Sequence, residues 1–427
     1  MVAAAPFRGL RFDAAVVGDL AKVTTPPYDV ISAAARDAYE AMSPHSMVRL
    51  ILHRGGSDDP ARYQQVAKLL AAWRDEGALL LDPAPSLYLY EEAYTLDGER
   101  RVQRGVLASV ALDDSATWVL PHERTMAAPV ADRLRLLEAT RVNLSPVFGV
   151  YAGGGRAAGL LDEAAAAPPA VDCVDEVGVG HRLWPFADPG RVAAFRELLA
   201  DRQVLIADGH HRYRTSLAYQ AATRAATGGR PGPWDEVLMF LADADHQGPS
   251  VQAHHRLLAD VPGQAVLDGL AGEFDARPAA GPAAAEAALR RLPRTAIGFG
   301  LYAGGASFVL VARDPGRLAA ETRLDRDPLD VEVLHGPVLA GRLGVRDFER
   351  RVAYDSDLAH AVGRVDGGAA ASLLLVRPAP FAAVAEVARA GGTLPQKTTS
   401  FVPKPRDGLV LRPLEPAAFA PQPGGRR

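Results

Sequence analysis

Residues 204–220 read VLIADGHHRYRTSLAYQ, and how this stretch is parsed decides the fold. Val204, Leu205, Ile206 and Ala207 form an apolar run too short for a helix, and helix-spaced residues follow from Arg212. The pattern predicts a buried strand, a tight turn at Gly209 and a helix that starts at once. A helix start carries unpaired N–H groups and a partial positive charge, so it attracts anions. His210, His211 and Arg212 add donors to the same turn, and a guanidinium suits phosphate bidentately. The structural alternative makes Asp208 an N-cap and the histidines hydrogen-bonded scaffold. A metal site of Asp208 with both histidines fits less well, because adjacent helical residues point about 100° apart.

A strand running straight into a helix implies a sheet with packed helices, and the rest of the chain agrees. The 427 residues are 48% hydrophobic and 23% charged, the composition of a globular protein with room for more than one packed unit. A net charge of −4 gives no basic field, so no nucleic-acid partner is expected. Cys173 is the single cysteine, which excludes an internal disulfide and fits a cytoplasmic location. Arg8, Arg11 and Asp13 interrupt the opening apolar residues, leaving no signal-peptide core, and no membrane span is expected. A homo-oligomer stays open.

Helix and strand patterns alternate throughout. Ser32 precedes AAARDAYEAM as an N-cap, SMVRLILH reads as a strand, and ARYQQVAKLLAAWRDEG reads as a helix stopped at Gly77. Residues 87–114 alternate like a hairpin turning at Asp97-Gly98, and a later hairpin turns at Gly304-Gly305. These patterns predict an α+β protein with mixed sheets and packed helices. The expected units are 1–150, 173–260 and 261–427, with the small-residue segment 151–172 as linker.

Three further clusters carry polar groups at element ends. WVLPHERT offers Glu123 as a general base or metal ligand, with His122 and Arg124 as substrate contacts. TTPPYDVIS stiffens an extended segment that delivers Tyr28 and Asp29 to a fixed place. PQKTTSFVPKPRDG supplies Lys397 and Lys404, which could grip phosphate or blunt a sheet edge. Dinucleotide, zinc-protease and esterase motifs are missing.

FRGLRFD, PPYDVIS, LPHERT, DRLRLLEATRVNLSPVFGVY, HRLW, IADGHHRYRTSLAY and KTTSFVPKPRDGLV occur in this order. In this the chain resembles the bacterial and archaeal family catalogued as domain of unknown function 1015. The ADGHHR joint is also similar to the ParB/sulfiredoxin-like fold, whose free-serine kinases move phosphate from ADP or ATP to L-serine. That likeness implies a strand-turn-helix unit in which Asp208, Gly209, His210, His211 and Arg212 form the phosphate-binding turn.

Together these point to a phosphotransferase that moves a nucleotide phosphate to the hydroxyl of a small polar metabolite, free L-serine being one candidate. Gly209, His210, His211 and Arg212 would cradle the phosphates with Lys397 or Lys404, and Asp208 or Glu123 would hold Mg²⁺ accompanying ATP or ADP. Glu123, or Asp29 in second place, would accept the hydroxyl proton; Arg124, His122 and Tyr28 would contact the substrate. A metal-dependent phosphohydrolase and a non-catalytic nucleotide-sensing module are the alternatives.

Overall fold

The computed structural model describes residues 2–55, 59–123 and 125–415. The chain divides into two compact units, Met1–Pro249 with Pro403–Arg427, and Ser250–Val402. The protein is α+β, with mixed and antiparallel sheets and helices packed on them.

In the first unit, short elements such as the strands Ala4–Ala5 and Leu10–Phe12 precede the longer helices α1 (Ala33–Met42) and α2 (Ala61–Asp75). Ser32 caps α1 by accepting from the Ala35 N–H, as its position predicts. Strands β1 (Leu87–Leu96) and β2 (Glu99–Ala111) form the expected hairpin, with Asp97 and Gly98 both at positive φ. Then come β3 (Val119–Leu120), α3 (Ala127–Thr140), β4 (Val147–Tyr151) and α4 (Ala158–Ala165). They are followed by β5 (Val171–Val174), β6 (Gly180–Phe186), α5 (Pro189–Ala200), β7 (Val204–Asp208), α6 (His210–Ala226) and β8 (Glu236–Asp243).

The strands make one sheet in the order β3-β7-β4-β8-β2-β1-β6-β5, with Ala4–Ala5 added beside β2. The β3–β7 and β4–β8 pairs are parallel and the others antiparallel. One apolar core joins Val106, Val147, Val204, Ile206 and Met239 to Phe195 of α5 and Tyr213 of α6. A second gathers Leu50, Tyr63, Val66, Trp73 and Leu136 beneath α2 and α3.

Two expectations need correcting. SMVRLILH is not a strand: Val48–Ile51 is a short helix whose Val48, Leu50 and Ile51 are buried, and apolar runs this short do not distinguish the two states. Nor is 151–172 a linker: Leu161 and Ala164 of α4 are buried in the main core, and Asp243 accepts from the Gly153 and Gly155 N–H groups. One sheet therefore takes strands from both sides of that segment, and the units expected at 1–150 and 173–260 share a core.

The second unit holds a six-stranded antiparallel sheet, in the order 274–279, 306–312, 298–303, 372–375, 255–258 and 352–355. A two-stranded ribbon, Ser250–Gln252 with Ser400–Val402, pairs its first and last residues. Among the described residues no helix is long and apolar enough to cross a membrane.

Candidate functional site

The joint between β7 and α6 is built as the sequence predicts, with one added feature. The β7–β4 register shifts between Ile206 and Asp208, and such a bulge re-aims the side chain beyond it. Gly209 follows at φ 89°, in the left-handed region, and a Cβ there would sit 3.0 Å from Arg212 Nε. Only glycine fits without strain. Gly209 offers α6 no side-chain cap.

Asp208 is the centre of an ion cluster. Lys404 Nζ donates to Oδ1 at 2.6 Å, and the Arg212 guanidinium donates to Oδ2. Lys404 also lies 3.6 Å from Asp29 Oδ2. Burial alone would raise the Asp208 carboxyl, but Lys404 and then Arg212 hold it down to about 2. Burial opposes the charge on Lys404 as well, and Asp208 with Asp29 raises it above its ordinary range. Three segments distant in the chain thus meet at one point: PPYD, ADGHHR and VPKPRD.

The two histidines of the joint face a fourth segment. His210 Nε2 accepts from the His122 N–H at 3.3 Å, and His211 Nε2 accepts from the Met126 N–H at 3.1 Å. A ring nitrogen that accepts carries no proton, so the bonds assign both imidazoles as neutral with the proton on Nδ1. Burial, reinforced by neighbouring His122, lowers His210 well below its ordinary value. The histidines therefore add no positive charge to the turn; they pin the PHERT loop to the helix start. The His122 and His210 rings meet edge-on at 4.7 Å, and burial lowers His122 to about 4. His122 is fully buried, which does not suit a direct substrate contact.

Arg212 also differs from the exposed clamp that its sequence position suggests. It is buried, and besides Asp208 it donates to the Pro146 carbonyl. It forms one wall of a cavity of about 60 Å³, together with Tyr28, Arg133, Asn143 and Ser145. Tyr28 lies under the Arg133 guanidinium, 4.4 Å from ring centre to carbon, and burial raises its phenol. Lys397 belongs to the second unit, where its carbonyl accepts from buried Arg256 at 3.1 Å. Glu123 lies one residue past the pinned His122, and Arg124 lies outside the described residues. Among the described residues no group of three or more His, Cys, Asp or Glu side chains is arranged to hold a metal ion.

Asp407, which sequence reasoning missed, joins the same place. Its backbone pairs with Thr25, three residues before Tyr28, and its Oδ2 accepts from Ser145 Oγ at 2.6 Å. Its Oδ1 is buried without a hydrogen-bond partner among the described residues. Burial raises this carboxyl to about 7, against the pull of Arg212. The KPRD stretch, with a carboxylate three residues past Lys404, is the signal the sequence offers for it.

A family model described as "Protein of unknown function (DUF1015)" matches residues 4–333. The chain belongs to this family. No curated protein matches it. Among solved structures the chain is similar to "Free serine kinase in complex with AMP", at 14% identity and a TM-score of 0.35, over 70% of this chain and 87% of that one. It is similar to "SbnI with C-terminal truncation from Staphylococcus aureus" at 11% identity and a TM-score of 0.37, over 72% and 87% of the two chains. A conserved hypothetical protein from Pyrococcus furiosus matches at 16% identity and a TM-score of 0.32, over 71% and 91%.

Proposed function

We propose that this protein is a phosphotransferase that moves a phosphate from ATP or ADP to the hydroxyl of a small polar metabolite, free L-serine being the first acceptor to test. The observation that carries this is the meeting of Lys404, Asp208 and Asp29 at the start of α6, a helix with no side-chain cap. Phosphoryl transfer asks the protein for alignment and charge neutralisation more than for covalent chemistry. A lysine, a helix start and two carboxylates supply those needs.

The donor set fits magnesium, which takes one or two carboxylates beside substrate phosphate oxygens. Asp208 and Asp29, which already share one cation, would hold it, and it would neutralise the phosphate chain. Lys404 then turns from the carboxylates to the phosphates, and the amides of Gly209 to His211 complete the cradle. Arg212 stays in place and orients Asp208. Glu123, on the loop pinned by both histidines, is the proton acceptor from the hydroxyl, with Asp29 the second choice.

Incubating the purified protein with ATP or ADP, Mg²⁺ and a panel of hydroxylated amino acids, followed by phosphorus NMR, tests this. The expected result is an acceptor-dependent phosphomonoester signal. Acceptor-independent phosphate release would identify a phosphohydrolase, and nucleotide binding without turnover a sensing module. Neither binding nor turnover would end the proposal.

A further inference from the structure

The second unit holds an open cavity of about 640 Å³. Its volume lies in the range that holds small-molecule ligands, roughly 300–1,000 Å³. Its apolar lining comes from Val251, Leu292, Leu329, Val331, Ala379 and Ala383. One side is held rigid by Arg377, which gives two hydrogen bonds to Asp330 and donates to the carbonyls of Leu292, Pro293 and Ala296. Those five bonds use all five guanidinium donors, so Arg377 is spent on the wall and has none left for a ligand.

Of the other charged groups of the lining, Arg290 is paired with Glu286 at 2.9 Å, and three are not bonded in this way. Arg294, Asp327 and Glu386 are exposed, and among the described residues none of their side chains forms a hydrogen bond or ion pair. Arg294 and Glu386 feel the fields of Asp330 and Arg326 but make no direct bond to them, so an apolar floor edged by exposed charges of both signs matches a ligand with a carboxylate, an ammonium group and an apolar body. A free amino acid fills only part of such a volume, whereas a peptide of roughly two or three residues fills it.

We infer that this cavity is a binding site for a short zwitterionic peptide, with its carboxylate at Arg294, its ammonium at Asp327 and Glu386, and its apolar side chains on the floor between them. The assignment does not rest on the phosphotransferase proposal, because every lining residue belongs to the second unit.

Calorimetric titration of the full chain with the tripeptide leucyl-glycyl-leucine, its N-acetylated form and its C-terminal amide tests the assignment. The free tripeptide should bind, and each blocked form should bind about tenfold more weakly or less, the scale of one charged hydrogen bond. Ala383→Trp should fill the cavity and abolish uptake. Arg294→Ala, at an exposed position without a side-chain hydrogen bond, should erase the preference for the free acid over the amide while keeping the preference for the free amine. No uptake of the tripeptide at millimolar concentration, blocked forms that bind as tightly as the free tripeptide, or an Arg294→Ala protein that still prefers the acid would each overturn it.

Discussion

The corner around Asp208 and the cavity of the second unit are opposite solutions to placing charge. At the corner Lys404, Arg212 and Asp208 are all engaged with one another, and the adjoining cavity holds only about 60 Å³. In the second unit one half-buried pair, Arg377 with Asp330, stiffens the wall, and around about 640 Å³ the exposed Arg294, Asp327 and Glu386 make no direct bond. The difference teaches that a dense polar motif is not by itself an open site. A carboxylate buried at a strand end needs cations merely to stay ionised, and part of ADGHHR answers that need.

The sharpest way to break this comparison is Arg212→Ala. If Arg212 is a buried partner of Asp208, removing it leaves a buried carboxylate undercompensated and a cavity beside it, at a cost of about 3–5 kcal/mol. Urea unfolding measures it. A loss below about 1 kcal/mol, the scale of a surface ion pair, would return Arg212 to the role of an exposed phosphate clamp.

Asp407 sharpens the comparison through pH. Unfolded, its carboxyl releases its proton near pH 4. Folded, burial holds the proton up to about 7. Between those values the folded state binds more protons than the unfolded one, so this group's contribution falls as pH rises, by up to ~1.4 kcal/mol per pH unit. His122 works in the opposite sense at lower pH: it is held neutral down to about 4, while the unfolded ring protonates near 6.5, so its contribution is lost as pH falls. Comparing the wild type with Asp407→Asn isolates the first effect. The stability of the wild type relative to the variant should decline from pH 5 to pH 7, and parallel pH profiles would show that Asp407 is ionised like a surface carboxylate.

The parts of the fold visible in the sequence are those set by neighbours in the chain. The β7–α6 joint, the Ser32 cap and the Asp97-Gly98 hairpin each follow from a few consecutive residues with definite backbone demands. What pairs across the chain was hidden. Ser145 and Asp407 meet across 262 positions, and Lys404 reaches Asp208 across 196, so no spacing announces either contact. The second unit, Ser250–Val402, is an insertion whose last ribbon strand returns beside its first, which composition does not mark. The motifs proposed as one site did include three that meet at Asp208. The part played by each residue depended on burial, which the letters do not show.

His211 provides the finest distinction. If the paired histidines serve only to cradle phosphate, the PHERT loop should not feel the loss of one. If they pin that loop, His211→Ala removes the acceptor of the Met126 N–H. Met126 is about half exposed, so water replaces much of the lost bond and stability falls by only about 1 kcal/mol. The amide should nevertheless exchange with solvent about five- to tenfold faster, since opening there no longer breaks a protein hydrogen bond. Met126 precedes α3 and lies three residues past Glu123, so turnover should drop by a larger factor than stability if Glu123 takes the hydroxyl proton. Unchanged exchange at Met126 would show that the loop holds its position without the histidine, and the ADGHHR turn would then be a phosphate cradle alone.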